Sequence, residues 1–259
     1  MPDAASTSAP RVALVTGASR GLGATVATFL ASTGFDLVID ARGAEALERA
    51  AQALRAHGGA VVALAGDVTD ADHRRRLVDA ARELGGLDVL VNNASTLGAS
   101  PLPPLADLTE ATLRNILEVN LVAPLALVRA ALPLLEARSG LVVDVSSDAA
   151  VGGYEGWGGY GASKAALDLA TKTLAAELAP RGVAAVAVDP GDLRTELHQL
   201  AFPGEDIGDR PEPEVTLPFW AWLFAQPGAT VSGQRFRAQD DVWLRAEHAG
   251  EPVATAVVR

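Results

Sequence analysis

The feature that most constrains the fold is a strict alternation of short apolar runs with helical stretches. Apolar runs occupy 12–17, 36–41, 60–67, 87–94, 140–147 and 182–191. Helical stretches are predicted between them, at 21–32, up to about Ala56, and at 70–84, 107–137 and 160–179. Continuously apolar strands are covered on both faces, which is typical of parallel sheets between helix layers. The alternation therefore predicts an α/β fold with a doubly wound parallel sheet of Rossmann type, in three layers with about seven strands.

The same pattern predicts how the chain is organised. We expect one domain over 11–239, preceded by a disordered lead at 1–10 that has no signal-peptide character. Residues 192–215 are polar and rich in Asp, Glu and Pro, and they follow the sixth strand, so we predict a mobile lid there. A short helix at 217–225 and a last strand at 232–238 complete the domain, and a tail at 240–259 is predicted to be loosely held.

Composition and charge exclude several classes of function. The net charge of −11 argues against general nucleic-acid binding. There is no cysteine and the four histidines lack metal-ligand spacing, so we expect no metal site. The most apolar stretch, 121–137, is interrupted by Pro124, Arg129 and Pro133, so we expect no membrane span and a cytoplasmic protein.

A glycine turn lies between the first strand and its helix. "TGASRGLG" runs from Thr16 to Gly23 with the spacing Gly-x-x-x-Gly-x-Gly. Gly17 permits a tight turn, while Gly21 and Gly23 allow a pyrophosphate to approach the positive end of the helix. A plain strand-to-helix turn with incidental glycines is the alternative.

A tyrosine and a lysine share a predicted helix face. Tyr160 and Lys164 are four residues apart, and the chain holds only two lysines among its 21 basic residues. A free phenol has a pKa of about 10. A nearby ammonium lowers that pKa, so we predict that Lys164 lowers the pKa of Tyr160 and lets it exchange protons with a carbonyl or an alcohol.

With the glycine turn, "NNA" at 92–94 and Tyr160-x-x-x-Lys164 in this order, the chain resembles the short-chain dehydrogenase/reductase family over about residues 11–195. The resemblance implies a catalytic set of Ser147, Tyr160, Lys164 and Asn120. In that family the serine holds the reacting oxygen, the lysine also binds the nicotinamide ribose, and the asparagine holds a water that relays protons. The chain departs from the usual pattern at three positions, where it has Ser95 for glycine and Asp144 and Asp189 for asparagine.

The resemblance also implies a nicotinamide cofactor and the residues that bind it: Gly17, Ser19, Arg20, Gly21, Leu22, Gly23, Arg42, Asp67, Val68, Asn93, Ala94, Ser95, Tyr160, Lys164, Pro190, Gly191, Leu193 and Thr195. At the tip of the second strand, Ala41 stands where an NAD-selecting acid is usual, and Arg42 follows it. Arg42 and Arg20 favour the 2′-phosphate of NADP(H). In the alternative, a register shift makes Asp40 a ribose ligand and selects NAD(H).

The function predicted from these residues is an NADP-dependent oxidoreductase that interconverts a ketone or aldehyde with a secondary alcohol. Trp157, Tyr154 and Phe202 suggest an apolar or aromatic small-molecule substrate. The alternatives are an NAD-dependent alcohol dehydrogenase of the same family and a non-catalytic dinucleotide-binding regulator. The resemblance implies a homo-oligomer, a tetramer or dimer paired through helices 107–137 and 160–179. Neither His73 nor His198 is predicted to be a site residue. His73 is expected on a solvated helix face. His198 lies in the predicted lid and is expected in an exposed loop, with a contact to substrate as the alternative.

Overall fold

The computed structural model describes residues 10–240 and Trp243; the predicted N-terminal lead lies outside these residues except for Pro10, and so does the predicted tail except for Asp240 and Trp243. Seven parallel strands form one sheet in the order β3-β2-β1-β4-β5-β6-β7. They are β1 Arg11–Val15, β2 Phe35–Ala41, β3 Val61–Ala65, β4 Val89–Asn92, β5 Leu141–Val145, β6 Ala184–Asp189 and β7 Arg235–Arg237. The doubly wound sheet predicted from the apolar runs is confirmed.

Nine α-helices connect and cover the strands in the described part of the chain. They are α1 Gly21–Ser32, α2 Ala44–Arg55, α3 Ala71–Glu83, α4 Glu110–Leu117, α5 Ala123–Arg138, α6 Gly158–Leu178, α7 Glu196–Ala201, α8 Leu217–Ala225 and α9 Gly228–Val231. A π-helical turn, Glu118–Val122, joins α4 to α5.

Alternate residues of each strand pack into two apolar layers, one on each face of the sheet, which is why successive strand residues are mostly apolar. Ala13 and Val15 of β1 pack with α1, α2 and α8 on one face of the sheet. Val12 and Leu14 pack with α3, α5 and the end of α6 on the other face. The result is the three-layer arrangement expected for a buried parallel sheet.

The order of the strands determines where a ligand can enter. After β3 the chain crosses back to β4 on the other side of β1, so the winding reverses between β1 and β4. At that reversal Thr16 N donates to Val91 O at 3.0 Å, just before the two strands separate. A crevice at the carboxyl ends of the strands therefore opens beside the glycine turn.

The apolar stretch around α5 is more regular than its sequence indicates. We expected Pro124, Arg129 and Pro133 to break it, but Pro124 lies in the first turn of α5 and Pro133 lies inside the helix. Glu110–Arg138 is continuous, and within the described residues it alone is long and apolar enough, with a mean hydropathy of 1.6, to cross a membrane. Here the face that carries Leu127 and Leu135 packs against the sheet.

Two segments beyond β6 also differ from expectation. The polar stretch 192–215 contains a helix, α7, whose first turn is capped where Thr195 Oγ1 accepts from His198 N at 3.2 Å. Trp243 lies in the predicted loose tail but is buried, with its ring centre 5.6 Å from that of Phe219. The polar sequence around α7 and Trp243 does not predict either feature. Each is stabilised by apolar residues from other parts of the chain.

Candidate active site

A cleft of about 570 Å³ opens at the carboxyl ends of the strands. This volume is within the range of about 300–1,000 Å³ usual for small-molecule and cofactor sites. The structure brings every residue of the predicted cofactor set to its walls, together with Ser147, Tyr160 and Lys164. Asn120 is the one predicted site residue that does not line the cleft. The chain therefore collects residues from six strand ends around one space.

The glycine turn has the conformation that its sequence predicts. Gly17 and Gly21 have positive φ values of 68° and 54°, which side chains other than glycine rarely adopt. A Cβ on Gly23 would collide with Asn93 Nδ2 and Gly17 O, so only glycine lets α1 approach the strand ends. Asn93 Nδ2 in turn donates to Thr16 O at 2.8 Å. The N-terminus of α1 therefore faces the cleft without side-chain capping.

The buried side chain of Asp40 stabilises the glycine turn through a hydrogen bond to its main chain. Its Oδ1 accepts from Gly17 N at 2.8 Å, and its Oδ2 lies 3.1 Å from His73 Nε2. Because Arg76 Nη2 contacts the other ring nitrogen of His73 at 3.2 Å, that nitrogen accepts and Nε2 donates to Asp40. His73 is fully buried, so its predicted place on a solvated helix face is wrong. Both oxygens of Asp40 thus have partners inside the protein.

The rim beyond β2 carries the charges relevant to a dinucleotide. Arg42 is exposed there, and within residues 10–240 it forms no salt bridge. The pKa of Asp67, which lies nearby, is lowered overall. Burial raises this pKa, but hydrogen bonds from Thr69 and the positive charge of Arg42 together lower it by more. Arg20, the second predicted cation, is instead paired with Glu196 of α7.

Tyr160 and Lys164 lie side by side in α6 at the inner end of the cleft. Lys164 is 1% exposed, and its Nζ donates to Val145 O at 2.7 Å while lying 5.7 Å from the centre of the Tyr160 ring. Ser147 follows β5, and its Oγ donates to Asp148 Oδ1 at 3.0 Å and accepts from Ala149 N at 3.2 Å. Parallel strand ends and the first turns of α6 bring these three groups together.

Burial has the largest effect on the pKa values of both Tyr160 and Lys164. It raises the pKa of Tyr160 to about 12, against hydrogen bonds from Ser95 and Ser147 that lower it. It also lowers the pKa of Lys164 to about 8, against the charges of Asp144 and Asp168 that raise it. The predicted lowering of the Tyr160 pKa is therefore wrong for this structure, because burial of the phenol outweighs its neighbours. At neutral pH the phenol carries its proton.

Asn120 lies within the predicted helical stretch, but its side chain does not line the cleft. It lies in the π-helical turn and is fully buried, and all four hydrogen-bonding positions of its side chain are occupied. Its Oδ1 accepts from Ser95 Oγ at 3.1 Å and Thr96 N at 2.9 Å, and its Nδ2 donates to Thr96 O and Ser163 Oγ. The side chain braces the loop after β4 against α6 and has no remaining group with which to hold a relay water.

The two unusual aspartates are buried, Asp144 below the cleft and Asp189 in its wall. Asp144 accepts from Asn92 Nδ2 and Thr171 Oγ1, both at 2.7 Å, and burial raises its pKa. Asp189 accepts from Gly191 N at 3.0 Å and from Arg235 Nη2 at 3.1 Å, and burial raises its pKa as well. Hydrogen bonds and one arginine thus offset much of the cost of burying two carboxyl groups.

An aromatic group forms the wall between Tyr160 and α7. The ring centre of Trp157 lies 5.6 Å from that of Tyr160 and 6.3 Å from that of Phe202. His198 lies 5.2 Å from Phe202, and its side chain is only 12% exposed, so its predicted place in an exposed loop is wrong. Burial lowers the pKa of His198. Aromatic rings therefore line the cleft between Tyr160 and α7.

Comparison with known proteins agrees with this geometry. The family model described as short chain dehydrogenase matches residues 11–206. The human protein named dehydrogenase/reductase SDR family member 4 is 37% identical over 197 residues, which cover 75% of this chain and 70% of that protein.

Solved structures show the same architecture over nearly the whole domain. A short chain dehydrogenase from Pseudomonas syringae superposes with a TM-score of 0.82 at 33% identity, covering 88% of this chain and 94% of the other. A short chain dehydrogenase from Shigella flexneri, complexed with NADP, superposes with a TM-score of 0.82 at 28% identity, covering 89% and 97%. The protein therefore belongs to the short-chain dehydrogenase/reductase family of NAD(P)-dependent oxidoreductases.

Proposed function

We propose that this protein uses NADP(H) to interconvert a ketone or aldehyde with a secondary alcohol, with Tyr160 as the general acid and base. The observation that carries the proposal is the placement of Tyr160 beside Ser147 and Lys164 at the inner end of a cleft that starts at the glycine turn. When bound, the nicotinamide supplies or accepts the hydride.

The residues of the chain have distinct roles in this proposal. Ser147 turns its hydroxyl hydrogen from Asp148 to the carbonyl oxygen, donates a hydrogen bond to that oxygen and holds it against Tyr160 Oη. Tyr160 then gives its proton to that oxygen as negative charge develops there, or takes a proton from an alcohol in the reverse direction. Lys164, with its pKa near 8, holds a positive charge below the site at neutral pH and favours the phenolate that reduction leaves behind.

NADP(H) is favoured over NAD(H) by the rim beyond β2. Ala41 offers no carboxylate to a ribose, and the guanidinium of Arg42 is available for a 2′-phosphate. Asp40, the alternative NAD-selecting acid, is 1% exposed and has both carboxylate oxygens engaged below the turn. The Shigella flexneri neighbour, which is complexed with NADP, is consistent with this preference.

The substrate proposed here is an apolar or aromatic carbonyl compound. Trp157, Phe202 and Leu197 give the cleft an apolar lining beside Tyr160, and Leu193 and Leu200 extend it along the predicted lid. Aromatic side chains pack well against flat apolar ligands. We further propose that the protein is located in the cytoplasm.

We also propose a homo-oligomer, a tetramer or dimer. On the described surface, Leu169 of α6 is 68% exposed and Val122, between α4 and α5, is 44% exposed. Apolar side chains at these helix surfaces suit pairing with a second copy of the chain.

The proposed function is tested by NADPH oxidation with a panel of ketones, aldehydes and quinones, with NADH in parallel. We expect turnover of apolar or aromatic carbonyl compounds and a preference for NADPH. Binding of NADPH without reduction of any carbonyl would contradict the proposed reaction, and faster turnover with NADH would contradict the cofactor preference.

A further inference from the structure

One arginine below the cleft joins three elements of the proposed active site. Arg235 lies on β7, and its Nε donates to Asp168 Oδ2 at 2.8 Å. Its Nη2 donates to Ser147 O at 2.7 Å and to Asp189 Oδ2 at 3.1 Å. The arginine side chain is 25% exposed, and those of Asp168 and Asp189 are 15% and 2% exposed.

Each of its partners is linked to a group that the proposed reaction uses. Ser147 carries the hydroxyl that holds the substrate oxygen. Asp168 lies one helical turn after Lys164 on the same face of α6. Asp189 ends β6, and its second oxygen accepts from Gly191 N at 3.0 Å, in the turn predicted to contact the nicotinamide. A planar guanidinium can hold three such acceptors at once, because its donors form a rigid fork.

We propose that Arg235 is a positioning residue for the proposed carbonyl reduction: it fixes the main chain at Ser147 and the turn at 189–191, and it neutralises the two carboxylates that face Tyr160 and Lys164. The inference rests on the proposed function. Arg235 touches neither substrate nor cofactor in it and acts through its three partners.

The charges around the catalytic pair explain why neutralisation matters. Ser95, Ser147, Asp189 and Asp148 act on Tyr160, and the two aspartates raise the pKa of its phenol. Asp144 and Asp168 act on Lys164 and raise its pKa.

Of the two arginines near Asp189, Arg235 makes the shorter contact. Arg237 lies 3.7 Å from Asp189 Oδ2, is 57% exposed and also pairs with Asp240. Loss of the Arg235 charge therefore leaves Asp168 and Asp189 less compensated and raises the pKa of both Tyr160 and Lys164.

The test compares Arg235→Gln with Arg237→Gln, a matched change two residues along the same strand. For Arg235→Gln we expect kcat for carbonyl reduction to fall by about tenfold or more, as for loss of hydrogen bonds to charged groups. We also expect the acid limb of the pH profile for alcohol oxidation to move to higher pH, because oxidation needs the phenolate. Arg237→Gln should leave both close to wild type.

Two further variants separate charge from geometry. Arg235→Lys keeps the positive charge but not the fork, so kcat should fall while the pH profile stays near that of wild type. Arg235→Gln combined with Asp189→Asn removes a carboxylate together with the arginine, so the acid limb should return toward its wild-type position. A purely structural arginine would change the melting temperature and kcat without moving the pH profile.

The outcomes distinguish this inference from the proposed function. If wild type and Arg237→Gln reduce carbonyl compounds while Arg235→Gln keeps wild-type kcat and pH profile, the positioning role is overturned and the proposed function stands. If wild type itself reduces none, the proposed function fails first. Should Arg235→Gln not fold, Arg235→Lys decides, since an unchanged kcat in that variant overturns the role of the fork.

Discussion

Replacement of Asp40 by alanine tests whether this carboxylate supports the glycine turn or selects the nucleotide. Asp40→Ala leaves two buried donors, Gly17 N and His73 Nε2, without their acceptor. Each unsatisfied buried donor costs about 1–3 kcal/mol, so we expect the free energy of unfolding to fall by about 2–6 kcal/mol. Because the turn itself loosens, NADPH and NADH should both bind more weakly, by a similar factor.

The matched control is Asp36→Ala on the same strand. Asp36 Oδ1 accepts from Ala60 N at 2.7 Å in a partly exposed position, where water can replace the carboxylate. Its loss should cost about 1 kcal/mol or less. Urea denaturation measures the unfolding free energies, and fluorescence titration measures both nucleotides. Equal destabilisation by the two variants would refute the supporting role, and a selective loss of NADH binding in Asp40→Ala would identify Asp40 as the NAD selector.

Three further predictions follow from the cleft and the helix surfaces. Arg42→Ala should raise KM for NADPH about tenfold or more while KM for NADH changes little, because only NADP(H) offers a 2′-phosphate; steady-state kinetics with both nucleotides would refute this by showing equal effects. Hydrogen exchange across 192–215 should slow when NADP and a substrate analogue bind, and unchanged protection would leave the predicted lid without support. Light scattering at micromolar concentration should give the mass of a dimer or tetramer. A monomer mass would contradict the proposed homo-oligomer.

The fold was predictable because its signals are local. Buried parallel strands are mostly apolar along their length. Each of the six apolar runs and the predicted last strand overlaps one of the seven observed strands. The glycine turn and the Tyr160–Lys164 pair were also readable, since a strand-to-helix turn and a spacing of four residues bring groups together without help from distant parts of the chain. These local signals were enough to locate the cleft and most of its walls.

Groups whose environment depends on distant packing were predicted less well. His73 occurs in a basic run that resembles a surface helix, yet its partner Asp40 lies 33 residues earlier in the chain. Arg235 bonds the main chain of Ser147, 88 residues before it. Such pairs form only when the sheet has assembled, and no pattern within either segment indicates them.

The Tyr160 pKa and the role of Asn120 show a second limit. The spacing of Tyr160 and Lys164 predicted the pair but not its desolvation, which decides the direction of the Tyr160 pKa shift. Asn120 matches a family position, but a residue type does not reveal how many of its hydrogen bonds are already occupied. Burial and hydrogen-bond saturation are properties of the folded chain.

The most direct test of the proposed mechanism is Tyr160→Phe, assayed for turnover and NADPH binding in one preparation. Phenylalanine keeps the ring that packs 5.6 Å from Trp157 and removes only the proton donor. Loss of a general acid costs about 10²–10⁴-fold in rate, so we expect kcat for carbonyl reduction to fall by that amount. The dissociation constant for NADPH should change by no more than about tenfold, since one hydrogen bond at most is lost. A variant that retains near-normal turnover would contradict Tyr160 as the general acid and base.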